Sequence, residues 1–164
     1  MSREISQTSG EDSPERSGRC GTPVNPDRTA VENRHPAPLK SDRETILFLD
    51  DEEMLVDVGT RMLTMIGYEV VGIKGCAEAL EFFAREAEKI DLVITDYSMP
   101  KMTGVDFAKE VMRLKPGIPI ILVTGFAEGS IQEKAKQAGI LHFLMKPVNR
   151  HELAETIRKA LGKR

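Results

Sequence analysis

Residues 44 to 164 predict an α/β domain of three layers, a parallel sheet between two layers of helices. Two observations carry that expectation. Five short runs, apolar almost throughout, alternate with segments whose apolar residues recur at helical spacing. Strands that are apolar at consecutive positions are those covered by helices on both faces. The connections between runs are short, which with strict strand–helix alternation implies right-handed crossovers.

In chain order, Ile46 to Leu49 is the first strand, followed by a helix with Leu55, Val58, Met62 and Ile66 as its apolar stripe and Gly67 at its C-terminal cap. Val70 to Ile73 precedes a helix striped by Cys76, Leu80, Phe83 and Ala87. Leu92 to Ile94 leads to Val105, Ala108 and Met112, and Ile120 to Val123 leads to Ile131, Ala135 and Ala138 with Gly139 as cap. Phe143 to Met145 is the last strand, before a helix carrying Leu153, Ile157, Ala160 and Leu161. No period of 20 to 50 residues indicates repeats.

Residues 1 to 43 are of another character. They are rich in Ser, Pro, Gly, Asn and charge, and Ile5, Val24, Val31 and Leu39 fall on no helical or strand period, so a disordered tail is expected. A partner-binding segment, or the remnant of a linker to another domain, is the functional alternative.

The formal charge of −3 comes with no basic run that would track a phosphate backbone, so direct nucleic-acid binding is not expected. No stretch reaches the roughly 18 apolar residues of a membrane span, and the N-terminus lacks a signal-peptide core. The expected location is therefore the cytoplasm, with no membrane partner. Cys20 and Cys76 form no metal-ligand spacing and read as free thiols.

In an open parallel sheet the ligand site lies beyond the carboxyl ends of the strands. Four of the five runs end there in polar side chains: Asp50 and Asp51, Asp96 after Thr95, Thr124, and Lys146 before Pro147. Strand two offers no carboxylate, as suits a sheet edge. Three close carboxylates repel one another unless a cation intervenes. An all-oxygen set without organised Cys or His favours a hard ion, and Mg²⁺ is expected. Lys146 and the Thr124 hydroxyl can pair with phosphate oxygens. Asp96, alone at the end of its strand, is the expected nucleophile for phosphoryl transfer, with Asp50 and Asp51 as metal ligands.

Four motifs then resemble one family closely: Ile46-Leu-Phe-Leu-Asp50-Asp51-Glu52, Asp96-Tyr-Ser-Met99-Pro100-Lys-Met-Thr-Gly104, Val123-Thr124-Gly125 and Met145-Lys146-Pro147. Residues 44 to about 162 are similar to the receiver domains of response regulators and hybrid histidine kinases. The resemblance implies a flavodoxin-like (βα)5 sandwich with strand order 2-1-3-4-5. It implies Asp96 as phosphoacceptor, Asp51 and, largely through water, Asp50 as Mg²⁺ ligands, and the Ser98 carbonyl as a further ligand. Thr124 matches the switch hydroxyl, Lys146 the phosphate-binding lysine, Pro147 a proline after a cis peptide, and Gly125 the small residue that leaves the site open.

Phe143 stands where many members carry Tyr, so a hydroxyl contact on the active face, formed by the fourth helix, fifth strand and fifth helix from about Glu128 to Leu161, is lost. Phe126, two past Thr124, is expected to shield the acyl phosphate and slow its hydrolysis. The implied partners are a sensor histidine kinase as phosphodonor and a histidine phosphotransfer protein or other output protein. The only catalysis implied is self-catalysed phosphotransfer and autodephosphorylation.

Taken singly, these residues have ordinary explanations: Asp50 and Asp51 as helix caps, Asp96 as a turn residue, Lys146 as a solvated charge. Their joint placement on one rim outweighs those. An aspartyl-phosphate phosphatase would need a DxDx[TV] run, which Asp50-Asp51-Glu52-Glu53-Met54 does not supply, and a flavodoxin would need a Ser/Thr-rich loop after strand one. A phosphorylation-independent binding module is the other competitor. Because the sequence stops soon after the fifth helical segment, a stand-alone regulator, a relay intermediate and a receiver parted from a hybrid kinase are all open.

Overall fold

The computed structural model describes residues 43–125 and 129–162. Residues 1–42 of the expected tail, Cys20 among them, and Phe126 lie outside the described residues, as does Glu128 at the start of the expected active face.

The elements follow in strict alternation: β1 (Thr45–Leu49), α1 (Glu53–Ile66), β2 (Glu69–Ile73), α2 (Cys76–Glu86), a 3₁₀ turn (Ala87–Lys89), β3 (Leu92–Asp96), α3 (Gly104–Leu114), β4 (Ile120–Thr124), α4 (Gly129–Gln137), β5 (His142–Met145) and α5 (Arg150–Ala160). The five strands form one sheet in the order β2-β1-β3-β4-β5, every pairing parallel. This is the flavodoxin-like arrangement expected, with β2 at an edge.

Successive strand residues face opposite layers, and the core divides accordingly. Leu47, Leu49, Val93 and Leu122 pack against Phe83 of α2, Phe107 of α3 and Ala135 of α4. Ile46, Ile94 and Ile121 pack against Leu63 of α1 and Ile157 of α5. All residues of β3 and β4 are buried. Phe83 and Phe107 are fully buried, each contributing roughly 1.5–3 kcal/mol from area removed from water.

The inward face of α1 matches the expected stripe in part. Met62 and Ile66 pack half-buried against the core, but Val56 and Leu63 are its buried residues, and Val58 is 50% exposed. The helix is turned because Gly59 lies over Phe48: a Cβ there would come within 2.5 Å of the ring. Close packing against β1 thus centres on Val56, Gly59 and Leu63.

The ends of the elements have local causes. Gly67 takes a left-handed φ of 110° and closes α1, its N–H donating to the Thr64 carbonyl at 3.0 Å. Thr103 caps α3, its Oγ1 accepting from the Asp106 N–H at 3.2 Å. Asn149 caps α5 in the same way, accepting from the Glu152 N–H at 2.9 Å. Lys115 reaches back from the end of α3 and donates to the Ala87 and Ile90 carbonyls, both at 2.8 Å, tying α3 to the 3₁₀ turn.

Candidate functional site

The carboxyl ends of β1, β3, β4 and β5 bring Asp50, Asp96, Thr124 and Lys146 to one rim. Asp50 follows β1 and is 3% exposed. Its Oδ1 accepts the Glu52 N–H at 3.0 Å, bracing the turn before α1 without capping it, since the N-cap is Glu52 and no side chain caps the helix. Its Oδ2 accepts from Lys146 Nζ at 3.0 Å.

Asp96 ends β3 and is 5% exposed. Its Oδ1 pairs with Lys146 Nζ at 2.8 Å, and its Oδ2 accepts the Ser98 N–H at 2.6 Å. The β3–α3 loop is pinned on both sides of this carboxylate: the Tyr97 N–H donates to the Val123 carbonyl at 2.8 Å, and the Gly104 N–H to the Tyr97 carbonyl at 3.0 Å. Residue 104 must lack a side chain, because a Cβ there would overlap the Asp96 carbonyl oxygen and come within 2.8 Å of Leu122 Cδ1. The loop turns through Lys101 at φ 70°.

Lys146 is positioned by β5, its N–H donating to the Thr124 carbonyl at 2.9 Å, and its peptide bond to Pro147 is cis. Burial pulls its ammonium toward lower pKa, but the hydrogen bonds it donates to Asp96 and Asp50, with their charges, prevail and hold it above the ordinary 10.5. Lysine is thus a fixed cation here across the physiological range.

Thr124 is buried at the end of β4, and Gly125 beyond it is exposed, with open space where a Cβ would stand. Asp51 is half-buried, and Ser98 and Pro147 are exposed. Phe143 is half-buried against the core layer that α3 and α4 cover.

The described residues contain no group of three or more His, Cys, Asp or Glu side chains converging as a ready-made metal cage. The physical reason lies in Lys146, whose ammonium stands between Asp50 and Asp96 and takes an oxygen from each. Two carboxylates still face one ammonium, so this part of the rim stays negative. Mg²⁺ characteristically takes one or two carboxylates and completes its shell with water and phosphate. Asp50, Asp51, Asp96 and the Ser98 carbonyl fit that donor chemistry.

Two cavities adjoin the rim that sequence reasoning did not anticipate. One, of about 600 Å³, is a mostly apolar groove between α1 and α5, lined by Phe48, Val58, Met62 and Leu153 and reaching Asp50, Asp96 and Lys146. The other, of about 620 Å³, lies between the start of α2 and the β3–α3 loop, with Asp51, Cys76, Met99 and Met102 in its wall. Burial pushes the Cys76 thiol up; a main-chain hydrogen bond opposes this and the Asp51 charge adds to it.

The model of the response regulator receiver domain family matches residues 46–158. The chain belongs to that family. Receiver domains are signalling modules, and relatives of this one include the transcriptional regulatory protein GlrR of Escherichia coli K12, 39% identical over 118 residues, which cover 71% of this chain and 26% of that protein. The transcriptional regulatory protein PdtaR of Mycobacterium tuberculosis is 35% identical over 72% of this chain and 57% of its own length.

The chain therefore matches less than two thirds of these curated relatives. Among solved structures, a receiver domain protein from Clostridium thermocellum superposes with a TM-score of 0.70 at 31% identity, covering 73% of this chain and 94% of that one. A CheY-like receiver from Methanospirillum hungatei gives 0.67 at 32% identity over the same shares. No helix among the described residues of this receiver is long and apolar enough to cross a membrane.

Proposed function

We propose that this receiver accepts a phosphoryl group from a histidine kinase on Asp96, with Mg²⁺ as cofactor, and relays the change to a partner through α4, β5 and α5. The observation that carries the reading is Asp96 itself, a carboxylate 5% exposed at the end of a central strand, with one oxygen on Lys146 and the other on the Ser98 N–H. Both partners are donors of the kind that can pass to phosphoryl oxygens once the nucleophile turns to phosphorus.

In the proposed step an Asp96 oxygen attacks the phosphorus of a phosphohistidine whose other ring nitrogen is protonated, the P–N bond breaks, and the ring leaves as neutral imidazole with that proton, so the product is an acyl phosphate. Asp50, Asp51, Asp96 and the Ser98 carbonyl would hold Mg²⁺, which when bound offsets the charge that carboxylates and phosphoryl oxygens bring together. Lys146 pairs with one phosphoryl oxygen and the Thr124 hydroxyl donates to another. Inward movement of Thr124 frees space for Phe143, and the face beside them changes by population shift. Gly125 leaves the approach to Asp96 open, and Phe126 is proposed to shield the product from water, so Phe126→Ala should shorten its half-life. A histidine phosphotransfer or other output protein is the proposed recipient, acting in the cytoplasm.

The test is incubation with acetyl phosphate and Mg²⁺, followed by intact mass. A single phosphoryl adduct, lost in Asp96→Asn and in EDTA, is expected. A folded protein that takes no adduct would overturn the reading in favour of a phosphorylation-independent binding module.

A further inference from the structure

Helix α1 presents to solvent a line of apolar side chains that neither the core nor the phosphoryl chemistry uses. Met54 is 76% exposed, Val58 50% and Met65 72%. With the exposed Arg61 between the last two, they stand four, three and four residues apart, the two-per-heptad spacing of a seam on which another helix packs. A single exposed apolar residue is ordinary, but three aligned along one 14-residue helix form a stripe that a partner can cover.

The charges flanking the stripe decide which partner fits. The first half of α1 carries Glu53 and Asp57, and the second half carries Arg61, the one cation of the helix. Neither Asp57 nor Arg61 is ion-paired among the described residues. A second α1 laid antiparallel, about a two-fold axis midway between Gly59 and Thr60, sets Met54 against the second copy's Met65 and Val58 against its Arg61, whose guanidinium then lies beside Asp57. The axis makes each of these contacts twice, and the two helix dipoles oppose each other. A parallel pairing would instead set acid against acid.

From this complementarity we infer that α1 is a self-association surface, seating a second copy of this chain as an antiparallel helix pair. Val58 also lines the groove that reaches Asp96, so the second copy borders that groove. The surface goes beyond the proposed function, and its test reads mass alone, so failure of one leaves the other standing.

The full chain would be followed by sedimentation velocity from low micromolar to near-millimolar concentration. A reversible dimer is expected. Met54→Glu/Met65→Glu, at positions already open to water and so compatible with folding, should weaken it by about tenfold or more. Asp57→Arg or Arg61→Asp alone sets like charges together twice and should weaken it by about tenfold. The swap Asp57→Arg/Arg61→Asp restores opposite charges across the axis and should recover affinity to within about threefold of the parent, a rescue that damage to the helix would not give. Circular dichroism of each variant checks that α1 is intact. A dimer indifferent to these substitutions, or no rescue by the swap, would overturn the surface. So would a chain monomeric throughout, which leaves the stripe to residues 1–42 or to a helix of another protein.

Discussion

Removing the ammonium of Lys146 while keeping its length, as Lys146→Met, leaves Asp50 and Asp96 buried without a cation. Breaking a fully buried pair costs about 3–5 kcal/mol and an exposed pair at most about 1. The Lys146 side chain is 32% exposed and its partners 4% and 6%, so solvent screening places the expected loss at about 2 kcal/mol.

Urea unfolding in EDTA reads this directly. With Mg²⁺ present the divalent ion supplies the missing charge, and without an ammonium to displace it should bind about tenfold tighter, worth about 1.4 kcal/mol. The loss should then shrink below about 1 kcal/mol at saturating Mg²⁺.

The pH arm has a fixed sign. The lysine pKa is raised above 10.5 in the folded protein, so its stabilisation is fully present below 10.5 and is lost as pH rises through the higher folded value. Wild type and variant should therefore converge only at that alkaline end. Equal losses with and without Mg²⁺, or curves already converged near neutral pH, would refute the bridging role.

Other positions give sharper local tests. Gly104→Ala places a methyl against the Asp96 carbonyl and Leu122, and should cost about 3 kcal/mol while slowing acetyl phosphate labelling; a stable, normally labelled variant contradicts the close approach. Thr103→Ala removes the α3 cap and should cost about 1 kcal/mol in urea unfolding. Its hydroxyl, with Lys109, holds the Asp106 carboxyl below its ordinary value, so that stabilisation is present above the unfolded pKa and fades as pH falls through the folded one; wild type should lose more stability than Thr103→Ala over that acid range. Lys101→Gly relieves a left-handed φ of 70° and should not destabilise, whereas Lys101→Val should lower the unfolding free energy by about 1 kcal/mol in urea.

The strands were legible because each is apolar at consecutive positions, a pattern that only a sheet covered on both faces explains. Their observed limits exceed the expected ones by one or two residues, as at Thr45, Asp96 and Thr124, where polar side chains continue the ladder after the apolar run ends. The rim was legible because strand ends in a parallel sheet converge. The inward face of α1 was legible only at Met62 and Ile66, since Gly59 contributes no hydrophobicity to a pattern yet decides where the helix can approach Phe48. Phe107 and Val111, buried on α3 beside the expected Val105 and Ala108, widen a stripe that was read too narrowly. The Ser98 N–H on Asp96 was also invisible, because main-chain donors carry no letter in the sequence.

The hydrogen bonds of the two buried carboxylates do not tell them apart. Asp50 accepts the Glu52 N–H and Lys146 Nζ, and Asp96 accepts the Ser98 N–H and Lys146 Nζ, the main-chain donor standing two residues on in each case. What separates them is position. Asp50 is followed directly by a second carboxylate, Asp51, as suits a pair that holds a cation, whereas Asp96 stands alone at the end of the central strand β3. The proposed roles, Asp96 as the group that reacts and Asp50 as the group that stays, therefore rest on strand position and not on hydrogen bonding.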